Sequence, residues 1–164
     1  MYRRLIAGLA IAGSLLVPQA VLAREAAPLH LGVSHTQFHD DFVCIVPRGD
    51  DGDCSLATAS AEGNATSNLS TGPGSVAWDF VIRLPDGFSG CFDIDESATF
   101  SFAPGTISTF ATHVTCPGQT GLGVDATFTV IGGTGAFSFA DGGGQETSAH
   151  VDPAAWVFNG TISY

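Results

Sequence analysis

Apolar and polar residues alternate with a period of two along most of this chain. Val76, Trp78, Phe80, Ile82 and Leu84 are apolar, with Ser75, Asp79 and Arg83 between them. Phe88, Phe92, Ile94, Ala98, Phe100 and Phe102 alternate with Ser89, Asp93, Asp95, Ser97, Thr99 and Ser101. Ala126, Phe128 and Val130 follow the same rule, as do Trp156, Phe158 and Ile162, with Tyr164 in phase. No sustained helical period occurs from Ala26 onward, so the pattern predicts antiparallel strands. Turn chemistry separates the runs: Gly72-Pro73-Gly74, Pro85-Asp86-Gly87, Pro104-Gly105, Pro117-Gly118, Gly132-Gly133-Thr134-Gly135, Gly142-Gly143-Gly144 and Asp152-Pro153. Residues 55–71 are small and polar, which predicts a weak edge strand or a long loop. The expectation is one all-β domain, a single antiparallel β-barrel of about eight strands, with a β-sandwich as the alternative.

The first 23 residues have a different pattern. Arg3 and Arg4 precede an apolar run over residues 5–17, and Val21-Leu22-Ala23 supplies a small-x-small cleavage site. This predicts a secretory signal peptide, leaving residues 24–164 as the secreted, extracellular domain. The run is too short to span a bilayer, so no membrane association is expected after cleavage. Beyond the leader, 3 Arg face 16 Asp plus Glu, and lysine is absent. That excludes a P-loop lysine and Schiff-base chemistry. It also argues against nucleic acid and anionic lipid as partners, since both need a basic footprint.

Four cysteines, at 44, 54, 91 and 116, predict two disulfides in an oxidising compartment. A hairpin turning at Pro104-Gly105 pairs residues whose numbers total about 207, which sets Cys91 opposite Cys116. Cys44 and Cys54 then close a short loop. The spacing does not suit a zinc site. The same register turns Glu96 towards the core, opposite Ala111, with His113 opposite Ile94 and diagonal to Glu96. A buried carboxyl beside an imidazole is a candidate acid/base pair, and a structural ion pair is the plainer alternative.

Other clusters carry less specific signals. His30, His35 and His39, with Asp40 and Asp41, could hold zinc or copper, although histidines near a terminus are commonly solvated. Asp50, Asp51 and Asp53 lie in the Cys44 to Cys54 loop and could hold calcium, or simply form an acidic hairpin tip. No metal or cofactor is expected from either cluster. Arg48-Gly49-Asp50 spells an adhesion tripeptide that recurs often by chance. Asn64, Asn68 and Asn159 stand in glycosylation acceptor motifs. Gly87-Phe88-Ser89-Gly90-Cys91 lacks the second glycine of a nucleophile elbow.

One element carries a family likeness. Residues 126–137, ATFTVIGGTGAF, followed by Ala140 and Gly142, resemble the strand-GGTG-x-Phe element of the allene oxide cyclase and dirigent barrels. The closing residues 158–164, FNGTISY, are similar to the last strand of that family. The likeness covers about residues 124–164. It implies an eight-stranded antiparallel barrel with a mostly apolar cavity, often as a homo-oligomer, in which cavity shape steers ring closure or radical coupling. The polar residues of that family have no counterpart in the matching segment. A second likeness, to the neocarzinostatin-like apoproteins, rests on the Cys44 to Cys54 spacing and departs at Cys91 to Cys116.

Together these readings predict a secreted barrel that binds a small apolar molecule non-covalently. Trp78, Phe80, Phe92, Phe100, Phe128 and Trp156 would line the core or cavity. The enzyme alternative is a cofactor-free cyclase or isomerase using Glu96 and His113. A surface-interaction protein with a filled core is the third reading.

Overall fold

The computed structural model describes residues 25–39, 42–49, 52–87, 90–116, 125–149 and 155–164. The expected signal peptide, residues 40–41 and 50–51, and the expected turn residues Pro117-Gly118 and Asp152-Pro153 lie outside them. Nine strands are found among the described residues: β1 (Ala27–Phe38), β2 (Val43–Arg48), β3 (Asp53–Ser67), β4 (Gly74–Arg83), β5 (Phe92–Phe102), β6 (Gly105–Thr115), β7 (Asp125–Gly133), β8 (Asp141–Ala149) and β9 (Ala155–Ser163). From β3 to β9 each strand pairs antiparallel with the next. β1 pairs with β9 on one side and β3 on the other, which closes an eight-stranded barrel. β2 pairs with β3 alone and stands outside the ring.

The β5–β6 hairpin has the register read from its turn. Every pair from Phe92↔Thr115 to Phe102↔Gly105 totals 207, and Cys91 is bridged to Cys116 across its open end with a Cα separation of 4.0 Å. Cys44 is bridged to Cys54 between β2 and β3, Cα to Cα 5.9 Å. The alternation along β4, β5, β6 and β7 sends Val76, Trp78, Ala98, Phe100, Ile107, Ala111, Ala126, Phe128 and Val130 inward.

Residues 55–71 depart from the expected weak edge strand or loop. Most of them form β3, the longest strand, which is paired on both sides. The period of two is present here but written in small residues. Ala57, Ala61 and Ala65 point inward, while Thr58, Ser60, Glu62, Asn64 and Thr66 alternate with them. Their small size hides the hydrophobic contrast on which a pattern reading depends. It also leaves room for bulky neighbours, since Ala61 is paired with Trp78.

Buried aromatic rings fill the end of the barrel that holds the 103–104 and 134–140 turns. Phe158 meets Phe100 and Phe128 edge to face, with ring centroids 5.0 and 5.3 Å apart. Phe137 returns into the core from a single 3-10 turn, Gly135–Phe137, and packs on Tyr164 at 5.0 Å. Gly135, with φ of 60°, presses against the Pro104 carbonyl, so this position demands glycine. Thr134 and Ala136 donate their backbone N–H groups to the carbonyls of Thr106 and Pro104, docking one turn on the other. At the opposite end a satellite cluster of Cys54, Ala57 and Leu84, with Ile82 and Phe92, supports the β2–β3 extension.

Candidate functional site

The disulfide-bearing end of the barrel is less completely filled. A cavity of about 180 Å³ opens there, lined by Phe38, Ala59, Phe80, Ile82, Ile94, Glu96, His113, Thr115 and Trp156. Strand alternation places most of these side chains inward. Phe38 arrives differently. In β1 the inward residues are Leu29, Leu31 and Val33, so simple alternation would turn Phe38 outward. A bulge between Ser34 and Gln37, with His35 at a φ of 56°, shifts the phase. Phe38 then meets Phe80 and Trp156, both at 6.1 Å between ring centroids, while remaining half exposed.

Glu96 is 2 % exposed, so it faces the interior rather than bulk water. Its strand neighbours are Phe80 on β4 and Ala111 on β6. A second acid, Glu146 on β8, is fully buried and sits opposite Ala126 on β7 and Phe158 on β9. Small residues on the intervening wall, Ala111 of β6 and Ala126 of β7, leave space for the two glutamates to approach each other. Glu96 Oε1, both Glu146 carboxyl oxygens, Trp78 Nε1 and His113 Nδ1 have no hydrogen-bond partner within the protein. Unmatched polar atoms at this depth are costly, by about 1–3 kcal/mol each.

Electrostatics follow from that burial. The Glu96 carboxyl is held well above the usual carboxylate range, chiefly by loss of solvation. The Trp78 indole and Glu146 offset part of this, although the indole N–H stays outside hydrogen-bond geometry. Glu146 is raised too, by burial first and then by the neighbouring charge of Glu96. Two carboxyls this close cannot both ionise cheaply, so the pair retains at least one proton. Burial lowers the His113 value, which keeps its imidazole neutral. The site therefore presents protonated acid beside a neutral base, in a wall that is otherwise almost wholly apolar.

The sequence-derived residues fall into three groups. Glu96, His113, Phe80 and Trp156 come together at the cavity, and Trp78 lies buried against Trp156 at 5.4 Å. Phe100 and Phe128 belong to the filled end, and Phe92 to the satellite cluster. The three N-terminal histidines are not gathered. His30 Nδ1 bonds Asn159 Oδ1 at 2.5 Å, His35 bonds Ser34 at 3.2 Å, and His39 lies 3.9 Å from Glu62. Arg48 of the adhesion tripeptide donates to the carbonyls of Leu84 and Pro85, while Asp50 lies outside the described residues. Asn68 accepts from the His30 backbone and donates to the Pro28 carbonyl, so two of the three acceptor asparagines are tied into β1 contacts.

Sequence reasoning missed Glu146 and Phe38. A usable signal existed for Glu146: the β7–β8 pairs total 272, which sets it opposite the inward Ala126. No pattern signal marks the bulge that re-aims Phe38.

No family model matches this chain, and no curated protein matches it. Among solved structures it is similar to a pyocyanin demethylase, at 15 % identity and a TM-score of 0.42, covering 83 % of this chain and 99 % of that one. No transmembrane helix occurs among the described residues, and the two disulfides are consistent with an extracellular protein.

Proposed function

We propose that this chain is a secreted barrel protein that binds a small, largely apolar molecule at the barrel mouth, with Glu96 as the polar contact. The observation that carries this reading is an apolar cavity floored by a buried carboxyl whose Oε1 has no hydrogen-bond partner within the protein. A group left unsatisfied at such cost is retained most readily when a ligand completes it. The strand-GGTG-Phe turn supports kinship with the allene oxide cyclase and dirigent barrels, whose cavities hold ligands of this general kind. The void at the mouth speaks against a protein that works through its surface alone.

Native mass spectrometry of the protein from its own secretion medium tests this reading. A retained organic mass is expected, and it should be lost in Ala59→Met, which fills the cavity from β3. A bare mass in both proteins would overturn it.

A second reading is favoured by the raised carboxyls. Glu96, raised to about 7 and so still partly protonated near neutrality, could donate a proton to a bound substrate while neutral His113 accepts one, giving a cofactor-free isomerase or cyclase. Glu96→Gln would then abolish turnover and leave the fold intact. Unchanged turnover would exclude it.

A further inference from the structure

We infer that the mouth cavity is a cage for a compact organic cation, such as an alkylated ammonium, held among Phe38, Phe80 and Trp156 with the Glu96 carboxylate as its counter-ion. This rests on the cavity being the binding site proposed above, and it specifies the class of ligand.

Three aromatic rings border one small cavity, with Phe38 at 6.1 Å from each of the other two. Ring faces carry negative potential, and a cation enclosed by them is favoured most where water is excluded. The cavity supplies no positive charge of its own. Lysine is absent from the chain, and both described arginines that could approach are engaged elsewhere, Arg83 with Asp95 and Arg48 with the carbonyls of Leu84 and Pro85. The titratable groups that face the cavity or lie beneath it are Glu96 on β5, Glu146 on β8 and His113 on β6. β1, β3, β4 and β9 contribute only Phe38, Ala59, Trp78, Phe80, Ile82 and Trp156. Burial keeps the imidazole neutral, so it does not repel a cation. Two acids and a neutral imidazole, walled by aromatic rings, form a site with no positive charge among the described residues.

Proton balance gives the inference a distinct signature. Burial raises Glu96 to about 7 and Glu146 to about 9, so the free pair holds both protons in mildly acidic solution. When a permanent cation enters, Glu96 ionises and releases one proton to solvent. Glu146 keeps its own and can donate it to the Glu96 carboxylate. A neutral molecule of the same shape leaves both protons in place. The chain's net charge of −11 also draws cations towards the barrel.

Choline and its neutral carbon isostere, 3,3-dimethylbutan-1-ol, separate the two cases. Calorimetric titrations in two buffers of different ionisation enthalpy would report affinity and protons released together. Choline is expected to bind about tenfold more tightly than the isostere, with release approaching one proton per site in titrations run about one pH unit below the Glu96 value of about 7. Glu96→Gln, nearly isosteric with the protonated acid, should fold normally, lose the choline preference and release no proton. Phe38→Ala should weaken choline more than the isostere. Equal binding of both probes without proton release would overturn the cation assignment and leave the cavity as a site for neutral molecules. Binding of neither probe, with no change in tryptophan emission, would overturn the inference together with the binding reading beneath it.

Discussion

The two ends of this barrel are built from the same strands and differ in almost every energetic respect. At the turn-bearing end, Phe100, Phe128, Phe137, Phe158, Ile107 and Ile162 fill the interior, and two turns lock together through backbone hydrogen bonds. At the disulfide-bearing end, the interior holds two acids, an imidazole and an unpartnered indole N–H beside an open cavity. An eight-stranded barrel is about wide enough for side chains to fill it. Whether it is solid or hollow is therefore decided layer by layer. One end supplies the stability that the other end spends on unsatisfied polar groups.

That contrast can be broken most forcefully from the filled end. Phe158→Ala should destabilise the protein by about 3–5 kcal/mol, because it removes the ring on which Phe100 and Phe128 both pack. Chemical denaturation would measure this, and a loss below about 1 kcal/mol would mean that the filled end is not the anchor. Replacing Cys91 and Cys116 together with alanine should cost about 2–4 kcal/mol and loosen the mouth, lowering ligand affinity as well.

The acid pair adds a pH dependence of definite sign. Both glutamates hold protons in the folded state that the unfolded chain releases near the ordinary value of 4.5. The folded state therefore binds more protons, and stability falls as pH rises. The pair's contribution is fully present below the unfolded value and is lost as pH climbs through the raised folded values, by up to about 1.4 kcal/mol per pH unit per group. His113 and Asp95, both lowered, act in the opposite sense, each favouring the folded state as pH rises. The clean test is the difference between wild type and a Glu96→Gln/Glu146→Gln double variant, which should lack the alkaline loss. Parallel pH profiles would contradict it. The smallest effect belongs to Phe38→Ala, where a half-exposed ring should cost less than about 1 kcal/mol of stability while ligand affinity drops clearly.

Much of this architecture could be read from residue order. One Pro-Gly turn fixed the register of β5 and β6, and with it the Cys91–Cys116 pairing and the inward position of Glu96. The GGTG turn announced both its glycine requirement and the return of Phe137. Two kinds of signal were weaker. Along β3, alanines carry the inward face, and the contrast with serine and threonine is too slight to show. Along β8, three consecutive glycines interrupt the alternation before Glu146, so its inward position follows only from counting across the β7–β8 turn. Phe38 depends on a backbone bulge that is specified by contacts with β3, beyond the reach of any local pattern. Opposed walls of a barrel are brought together by closure, and nothing in the sequence places Glu96 beside Glu146 until that closure is known.

The buried acid pair is the centre of the functional account, and the chain offers a simple way to observe it. It contains four glutamates, Glu25, Glu62, Glu96 and Glu146. Labelling their side-chain carboxyl carbons with ¹³C and following the four signals through a pH titration by NMR would report each protonation directly. Two signals should titrate in the ordinary carboxylate range, and two should remain protonated well above it, losing that behaviour singly in Glu96→Gln and Glu146→Gln. Four ordinary titrations would contradict the account, since a pair already ionised at acidic pH could not serve as the protonated floor of the site.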